Sequence, residues 1–436
     1  MRVKVAVIGS GISGLGAAWL LSSTHEVDIF EAEDRLGGHA HTHDVRVGGK
    51  TVAADTGFMV YNERTYPNLI RFFERLGVTY AASDMSFSVQ CPDEGIEWSG
   101  SSVDTIFAQR TNLANPLFLG MLVDIVRFSR RAERLLADES VDALTLGELL
   151  DRERFGHGFT DWYLVPMGSA IWSTPAGKMR DFPAKSFLRF ADNHGLLHIA
   201  DKPQWRSLVG GARTYVDAAA ARVSGAIHLA SPVERVDRVG GGVEVVWPDG
   251  SARYDAAVIA THAPQALSLL GEPTDTECSI LGTFGANDND VILHTDTSFL
   301  PDNARVHASW NYYSDAADTS TATLALTYYL NRLQPLGTDF PLLVTLNAQR
   351  EPDADSVLGR MRYVHPLFGR DAIAAQARLG EIQGNGGVWF TGAWQRYGFH
   401  EDGLLSAVRV AEAMGAHLPW GDELDETRTR VQGAAS

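Results

Sequence analysis

A glycine-rich turn directly after a short apolar run constrains the fold of this chain more than any other feature. The run over residues 3–8 has the composition of a buried parallel strand, and Gly9, Gly11 and Gly14 follow it. In such a turn the first glycine permits the sharp bend, the second lets a pyrophosphate approach the backbone, and the third lets the helix pack against the strand. A helix over residues 12–22 would point its N-terminal N–H groups at the phosphates. The pattern therefore predicts a dinucleotide-binding βαβ unit.

An acidic residue supports this interpretation. Glu31 ends the next predicted strand, 22 residues after Gly9, near the spacing of about 20 at which a carboxylate accepts ribose hydroxyls. A lone G-x-G-x-x-G is weak, but here strand, glycines, helix, strand and acid occur in the expected order. The residues predicted to bind the dinucleotide are Gly9, Gly11, Ile12, Ser13, Gly14 and Glu31.

A second motif lies directly after Glu31. Residues 31–39 read Glu-Ala-Glu-Asp-Arg-Leu-Gly-Gly-His, and residues 55–58 read Asp-Thr-Gly-Phe. The first stretch resembles the E-A-x-x-R-x-G-G segment of the flavin amine oxidase superfamily, which includes amine oxidases, protoporphyrinogen oxidases and carotenoid desaturases. In that superfamily the arginine and the glycines surround the pyrophosphate of FAD. The cofactor contacts implied here are Ala32, Arg35, Gly37, Gly38, His39 (where the family commonly has Arg or Lys), Thr56, Gly57 and Phe58.

Two later segments resemble the same superfamily. Residues 387–394 read as an apolar strand that ends at Gly392, and residues 400–407 lead into a helix. A helix N-terminus there would stabilise negative charge at the N1/O2 edge of reduced flavin. Ala393 stands where the family usually has an acid, and Asp402-Gly403 stands where it has Gly-Ala. Earlier in the chain, before a hairpin predicted at Asp249-Gly250, Val233 corresponds to a position whose backbone reaches the adenine. The contacts implied by these segments are Val233, Gly392, Ala393, Asp402, Gly403 and Leu404.

Length, charge and cysteine content narrow the possibilities. A chain of 436 residues can form two domains. A net charge of −17 argues against nucleic-acid binding, which needs a basic face. Cys91 and Cys278 lie far apart and outside the flavin motifs, which argues against a disulfide framework, a zinc site and a cysteinyl-flavin bond. The resemblance of the motifs implies FAD as the cofactor, and the positions of the cysteines predict that it is bound non-covalently and that no metal is present.

The resemblance implies an α/β fold: a Rossmann-like FAD-binding domain of the glutathione reductase/amine oxidase type with an α+β substrate cap domain. The predicted segments are residues 1–80, 205–275 and 385–420 for the FAD-binding domain, 81–204 and 276–384 for the cap, and 421–436 for a flexible tail. Only one nucleotide fingerprint is present, so we expect no second Rossmann domain for NAD(P)H. An FAD enzyme without one takes hydride from an organic substrate and passes electrons to oxygen, a quinone or another carrier.

Several stretches carry a narrower resemblance. They are residues 167–173, 193–197, 203–215, 309–312, 328–334 and 397–403. Together they resemble a bacterial group of predicted NAD/FAD-binding proteins, which is also similar to the flavoprotein-like N-terminal part of plant cyclopropane fatty acid synthases. A member of this group acts in furan fatty acid synthesis, where it desaturates a methyl-branched monounsaturated acyl chain on a phospholipid. The resemblance implies the same reaction, with hydride transfer to flavin N5 in an apolar tunnel.

Aromatic and histidine side chains are the candidates for that substrate site. His194, His198 and His400 are possible bases, and a structural role is the alternative for each. Aromatic residues in a cap more often belong to its core. The tunnel candidates are Tyr163, Met167, Trp172, Trp310, Tyr312 and Tyr328. The residues predicted to be catalytic are His400, Trp172 and Tyr328.

Residues 115–134 combine an apolar first half with Arg127, Arg130, Arg131 and Arg134. Such a segment resembles an interfacial helix that docks on anionic lipid, and the alternative is a cap helix with solvated arginines. The chain shows no signal peptide and no run of about 20 apolar residues. These features predict a cytoplasmic protein with peripheral contact at the inner face of the membrane.

The sequence motifs are also compatible with other reactions. The same motifs occur in amine oxidases acting on soluble amines, although no lysine could be placed near N5. An apolar cap also suits a carotenoid or porphyrinogen oxidase. A non-redox flavoprotein, such as an isomerase or the partner of a lipid methyltransferase, is the alternative from another class.

Overall fold

The computed structural model describes residues 3–197, 202–314 and 325–421. His198, one of the predicted bases, lies outside these ranges, as does the predicted tail beyond residue 421. The strands are β1 (Lys4–Ile8), β2 (Glu26–Phe30), β3 (Thr42–Val47), β4 (Lys50–Asp55), β5 (Tyr61–Asn62), β6 (Tyr80–Ser83), β7 (Phe87–Cys91), β8 (Ile96–Ser99), β9 (Trp205–Leu208), β10 (Ile227–His228), β11 (Arg235–Val239), β12 (Gly242–Trp247), β13 (Gly250–Tyr254), β14 (Ala256–Ile259), β15 (Gly285–His294), β16 (Trp310–Tyr313), β17 (Ala325–Tyr329), β18 (Leu343–Leu346), β19 (Val357–Leu367) and β20 (Val388–Phe390).

The helices are α1 (Ile12–Leu21), α2 (Pro67–Leu76), α3 (Val103–Ile106), α4 (Pro116–Ala137), α5 (Leu146–Arg152), α6 (His157–Phe159), α7 (Val165–Trp172), α8 (Ala176–Arg180), α9 (Ala184–Asn193), α10 (Arg213–Ala220), α11 (Ala263–Leu269), α12 (Asp275–Leu281), α13 (Leu330–Leu333), α14 (Arg370–Gln376) and α15 (His400–Ala413). Helices α1 and α2 lie among the first eight strands, and α3 to α9 all lie between β8 and β9.

A five-stranded sheet forms the centre of the cofactor half, in the order β10-β2-β1-β14-β20. Every pair in it is parallel. Alternate residues of β1 face opposite sides: Val5 and Val7 pack with α1, α2 and α15, whereas Ala6 and Ile8 pack with the β11-β12-β13 sheet and α11. Because both faces are covered, the strand needs apolar residues at every position, which is the run seen in the sequence.

Two helices from the range 276–384 also cover the second face of this sheet. Residues of α12 and α14 belong to the same hydrophobic cluster as Ile8 and Ile259. Strand β6, at the boundary proposed near residue 80, pairs with β9 in a small sheet of order β5-β9-β6. Packing therefore crosses the segment boundaries that were drawn from resemblance.

The cap is built from the two segments predicted for it, residues 81–204 and 276–384, which we call the first and second inserts. Its seven-stranded sheet has the order β19-β15-β18-β17-β16-β7-β8, so β7 and β8 from the first insert join strands from the second. The β16–β7 pair is parallel, and the other pairs are antiparallel. Helices α4 to α9 complete this half. The predicted fold class, a Rossmann-like domain with an α+β cap, is confirmed. Within the described ranges, no helix is both long and apolar enough to cross a bilayer.

Candidate active site

A cavity of about 1390 Å³ runs between the cofactor half and the cap. One end is formed by the β1–α1 turn, the end of β2 and the loop before α15. The other end is formed by residues of α4, α7, β16 and β17. We call these the cofactor end and the apolar arm.

The β1–α1 turn has the geometry that its glycines predict. Gly9 adopts a φ of +95°, and its N–H donates to the Phe30 carbonyl at 2.8 Å. A Cβ on Gly14 would collide with the Gly9 carbonyl oxygen, so the helix can start here only with glycine at that position. A Cβ on Gly11 would meet no atom within 4 Å, because this position faces the cavity. The open side of the turn is where a pyrophosphate would lie.

Glu31 lies in the cavity wall with its carboxylate already oriented. One oxygen accepts from the backbone N–H of Ser10 at 2.8 Å and from the Ser10 hydroxyl. The other accepts from the Glu33 N–H at 3.0 Å. Ser10 was not among the predicted residues, and its position between two of the glycines was the available signal.

Arg35 is not in the cavity wall. Its guanidinium donates to the Gly38 carbonyl at 2.9 Å and pairs with Glu33 at 2.8 Å. These bonds hold the loop that brings Gly38 against Gly11. The phosphate contact of Arg35 stays a prediction.

The predicted cofactor residues divide into wall and support positions. Those in the wall are Gly9, Gly11, Ile12, Ser13, Glu31, Ala32, Gly38, His39, Thr56, Gly57, Phe58, Val233, Gly392 and Ala393. Those behind the wall are Gly14, Arg35, Gly37, Asp402, Gly403 and Leu404. Asp402 accepts from the Phe399 N–H at 3.0 Å and pairs with Arg396 at 3.5 Å, and burial raises its pKa. Gly403 lies against Ser13 and Leu404 against Gly16, so these residues seat α15 on α1.

Three histidines from distant segments meet at the cofactor end. The ring centroids of His39 and His365 are 5.2 Å apart, and those of His39 and His262 are 6.0 Å apart. Burial lowers the pKa of each, and His39 Nε2 is buried with no hydrogen-bond partner in the described part of the chain. The rings are therefore neutral at pH 7. Sequence reasoning missed His262 and His365.

The tautomer of His365 is set by an amide chain. Asn289 is buried, and its Oδ1 accepts from Asn347 Nδ2 at 2.8 Å, so its Nδ2 donates to His365 Nδ1 at 2.9 Å. Since Nδ1 accepts, the proton of the neutral ring is on Nε2. Burial lowers the pKa of His365 to about 4. His365 is thus a neutral N–H donor in the cavity wall.

His400, one of the predicted bases, lies in the cavity wall in a constrained setting. Its ring stacks on Phe58 with centroids 3.7 Å apart, and its Nε2 is 3.3 Å from the Tyr215 hydroxyl. Burial lowers its pKa to about 3. His400 is neutral at pH 7, the state that a proton acceptor requires, and so low a pKa makes it a weak base.

The apolar arm gathers most of the predicted tunnel residues. Tyr328 and Trp310 meet edge to face, with centroids 4.9 Å apart, and Trp172 Nε1 donates to the Tyr397 carbonyl at 3.2 Å. A π-helical turn over Thr160–Leu164 precedes α7 and places Tyr163 in the wall. Met167 also lies in the wall, as does His194, whose ring stacks on Phe190 at 3.9 Å. Tyr312 does not, because it is buried in the core of the cap.

The family model for flavin-containing amine oxidoreductases matches residues 12–380. The chain belongs to this family. Membership places it among flavin-dependent oxidoreductases, with FAD as the cofactor.

Two curated relatives and one solved structure illustrate the likeness. The chain is 27% identical over 285 residues to AofH of Mycobacterium tuberculosis, whose naming as a flavin-containing monoamine oxidase is itself provisional; the match covers 62% of this chain and 59% of that protein. It is 28% identical over 278 residues to the carotenoid phi-ring synthase of Streptomyces griseus, covering 59% and 52%. The chain thus spans between half and two thirds of the length of these relatives. A CLA-producing fatty acid isomerase of P. acnes shares the fold, with a TM-score of 0.68 at 14% identity over 94% of this chain and 98% of that one.

The residues of this family member fit FAD on structural grounds. Gly11 leaves open space at the helix N-terminus, and Glu31 stands in the same wall. His39, in the cavity wall, has a buried Nε2 with no hydrogen-bond partner among the residues that the structure describes, so this atom is available to a ligand at the cofactor end. Neither Cys91 nor Cys278 lies in the cavity wall, in keeping with non-covalent binding. In the part of the chain that the structure describes, no group of three or more histidine, cysteine or acidic residues is placed to hold a metal.

Proposed function

We propose that this protein desaturates a methyl-branched unsaturated fatty acyl chain, carried on a phospholipid, by hydride transfer to flavin N5, as in furan fatty acid synthesis. The observation that carries the proposal is the continuity of the cavity. The glycine turn and Glu31 line one end of it, and aromatic and aliphatic side chains line the other.

The distribution of charge in the wall supports an apolar substrate. The charged side chains there, apart from histidine, are Glu31 and Glu33 at the cofactor end and the exposed Asp84 and Lys202. Among the residues that the structure describes, the arm between Tyr163 and Tyr328 has no charged side chain that could pair with a substrate cation. An ammonium group would lose its hydration there without compensation, whereas an acyl chain would gain from burial.

The chemistry requires positioning more than acid–base catalysis. A C–H bond next to a double bond is weakened because the developing charge is delocalised, and bound FAD supplies the hydride acceptor. The walls of Trp172, Trp310 and Tyr328 would hold the chain in place and keep water out. Loss of a hydride and of a neighbouring proton leaves a conjugated diene, with neutral His400 as the candidate acceptor for that proton. Oxygen, a quinone or another carrier would then take the electrons from the enzyme.

The surface of α4 supports a membrane source for the substrate. Leu117, Leu119 and Val123 are exposed on this helix, while Phe118 and Met121 on its other face are buried. One face of the helix packs in the cap and the other exposes apolar side chains, and this exposure supports the alternative that the helix docks on lipid. The fatty acid isomerase with the same fold indicates that this architecture accommodates a fatty acid in another protein.

The test is anaerobic reduction of the flavin. We expect phospholipids with methyl-branched monounsaturated chains to bleach the band at about 450 nm, with a product lighter by two hydrogens. The same lipid with a saturated chain should leave the band unchanged. No bleaching by the unsaturated lipid, in micelles or vesicles, would contradict the proposal.

A pair of variants localises the reaction. Ile171→Lys places an ammonium group in the arm and should prevent bleaching while FAD stays bound. Ile373→Lys places the same group on α14, outside the wall, and should bleach like the unaltered protein. Equal bleaching by both variants would remove the apolar arm from the proposal.

Oxidation of a soluble amine is the second candidate. It is favoured by family membership and by the likeness to AofH. Bleaching by small amines and not by lipid would select it.

A further inference from the structure

A groove on the outer face of α4 lies beside the cavity. It measures about 530 Å³ and is lined by Leu122, Val123, Val126, Arg127, Arg130 and Arg131. Among the described residues, its lining has three arginines and no acidic side chain, on a chain whose net charge is −17.

The groove and the cavity share a wall. Leu122 and Val126 line both spaces, so a single layer of α4 side chains separates them. The cavity wall continues through Ile106 and Phe107, and the Phe107 ring packs on Phe118 of α4 at 6.0 Å. Val103 also belongs to that wall and is 74% exposed. A residue that lines the cavity and faces solvent marks an opening, which we call the α3–α4 mouth.

The stretch of chain that forms this mouth carries several exposed apolar side chains. Besides Val103, they are Val123 at 66%, Leu117 at 56%, Leu113 at 55% and Leu119 at 40% exposure. All five fall within residues 103–123. Scattered apolar residues on a surface need no explanation, but a patch at a cavity opening indicates an interaction site.

The groove arginines differ in how they are held. Arg127 pairs with Asp124 at 3.2 Å, donates to the Arg154 carbonyl at 2.8 Å and lies over the Phe155 ring. Arg131 pairs with Glu153 at 3.0 Å. Arg130 is exposed and forms no ion pair with any residue that the structure describes. Arg130 is therefore the cation that is free to bind an external anion.

We propose that the groove binds the phosphate of an anionic phospholipid while the protein rests on the bilayer through the apolar patch, and that the lipid's acyl chain enters the cavity through the α3–α4 mouth. This rests on the acyl-chain function proposed above and adds the route and the headgroup site. An apolar patch beside a basic groove matches the layering of a bilayer, in which acyl chains lie next to charged phosphates. A second copy of this chain fits less well, because it would bring another −17 charge to the surface.

The test is sedimentation of the FAD-loaded full chain with vesicles. Vesicles of phosphatidylcholine containing phosphatidylglycerol should bind the protein at about 0.1 M salt. Arg130→Gln should weaken this binding about five-fold, and Val123→Ser should weaken it several-fold. The matched controls are Arg222→Gln, an exposed arginine beyond α10, and Val209→Ser, which is 43% exposed after β9. Flavin absorbance confirms that every variant is folded.

Each other outcome overturns the proposal or part of it. Binding by Arg130→Gln equal to that of Arg222→Gln removes the headgroup site. Val123→Ser equal to Val209→Ser removes the apolar patch, and loss of a dimer in Val123→Ser without a vesicle effect assigns the patch to a second copy.

Failure of the reaction is distinguishable from failure of the surface. If the protein binds vesicles but no lipid bleaches the flavin, the docking surface is supported and the proposed reaction is rejected. If the enzyme oxidises micellar lipid but does not bind vesicles, the reaction is supported and the docking surface is rejected.

Discussion

The two ends of the cavity are built in different ways. The cofactor end is built largely from short motifs, each within one stretch of chain: a turn of six residues, an acid at the end of the next strand and a loop before α15. These motifs come from opposite ends of the chain, and His262 and His365 join them from other segments. The apolar arm takes its walls from α4, α7, β16 and β17, which are separated by up to about two hundred residues. Short motifs can therefore specify the first end, whereas the second exists only after the inserts have packed together.

The largest expected effect is a loss of stability, without loss of FAD, when an aromatic residue of the apolar arm is removed. Trp172 is buried against Phe182, Phe187 and Phe190. Trp172→Ala should lower the free energy of unfolding by about 3–5 kcal/mol, because it leaves a cavity, yet FAD should remain bound. Denaturant unfolding and flavin absorbance measure the two quantities. Loss of FAD under native conditions would show that the two ends are not independent.

The next effect belongs to the cofactor end. Gly14→Ala should release FAD and cost about 1–3 kcal/mol, because its Cβ meets the Gly9 carbonyl. Gly120→Ala is the matched control, since a Cβ there meets nothing within 4 Å on helix α4. We expect that control to be neutral or stabilised by up to about 1 kcal/mol. Full FAD binding by Gly14→Ala would refute the turn geometry.

A pH dependence tests His194, which lines the arm. Burial lowers its pKa to about 4, whereas the unfolded chain titrates near 6.5. The unfolded state therefore binds more protons between these values, so stability is present above pH 6.5 and is lost as the pH falls. Between pH 7 and 5 the unaltered protein should lose about 2 kcal/mol more than His194→Phe. An unchanged slope in His194→Phe would contradict the prediction.

The smallest effect concerns the amide chain behind His365. Asn289→Asp replaces the donor to Nδ1 with an acceptor, so the ring proton should move from Nε2 to Nδ1. Nitrogen-15 NMR of labelled histidine reports the tautomer directly. We expect a stability change of about 1 kcal/mol. An Nδ1–H tautomer in the unaltered protein would show that the amide of Asn289 is reversed.

Particular residues show how far sequence reasoning reaches. The strand before Gly9, helix α1 and the wall position of Glu31 followed from local pattern, since each depends on neighbours within one βαβ unit. His262 and His365 were not found, because they approach His39 only through β14 and β19. Tyr363 and His365, two apart on one face of a strand, were the only local sign of inward polar side chains. The prediction that Tyr312 lines the tunnel was wrong, because aromatic character alone does not distinguish a residue of the cavity wall from a residue of the core.

The sequence by itself determined the nucleotide turn, the FAD cofactor through its family motifs, and the α/β class, because those features are encoded in contiguous residues with fixed spacing. Only the tertiary structure decided which aromatic residues face the cavity, which tautomer His365 adopts and which arginine of α4 forms no ion pair with the described residues. Those properties depend on contacts between distant segments, and the free energy of such contacts is set by packing rather than by local pattern.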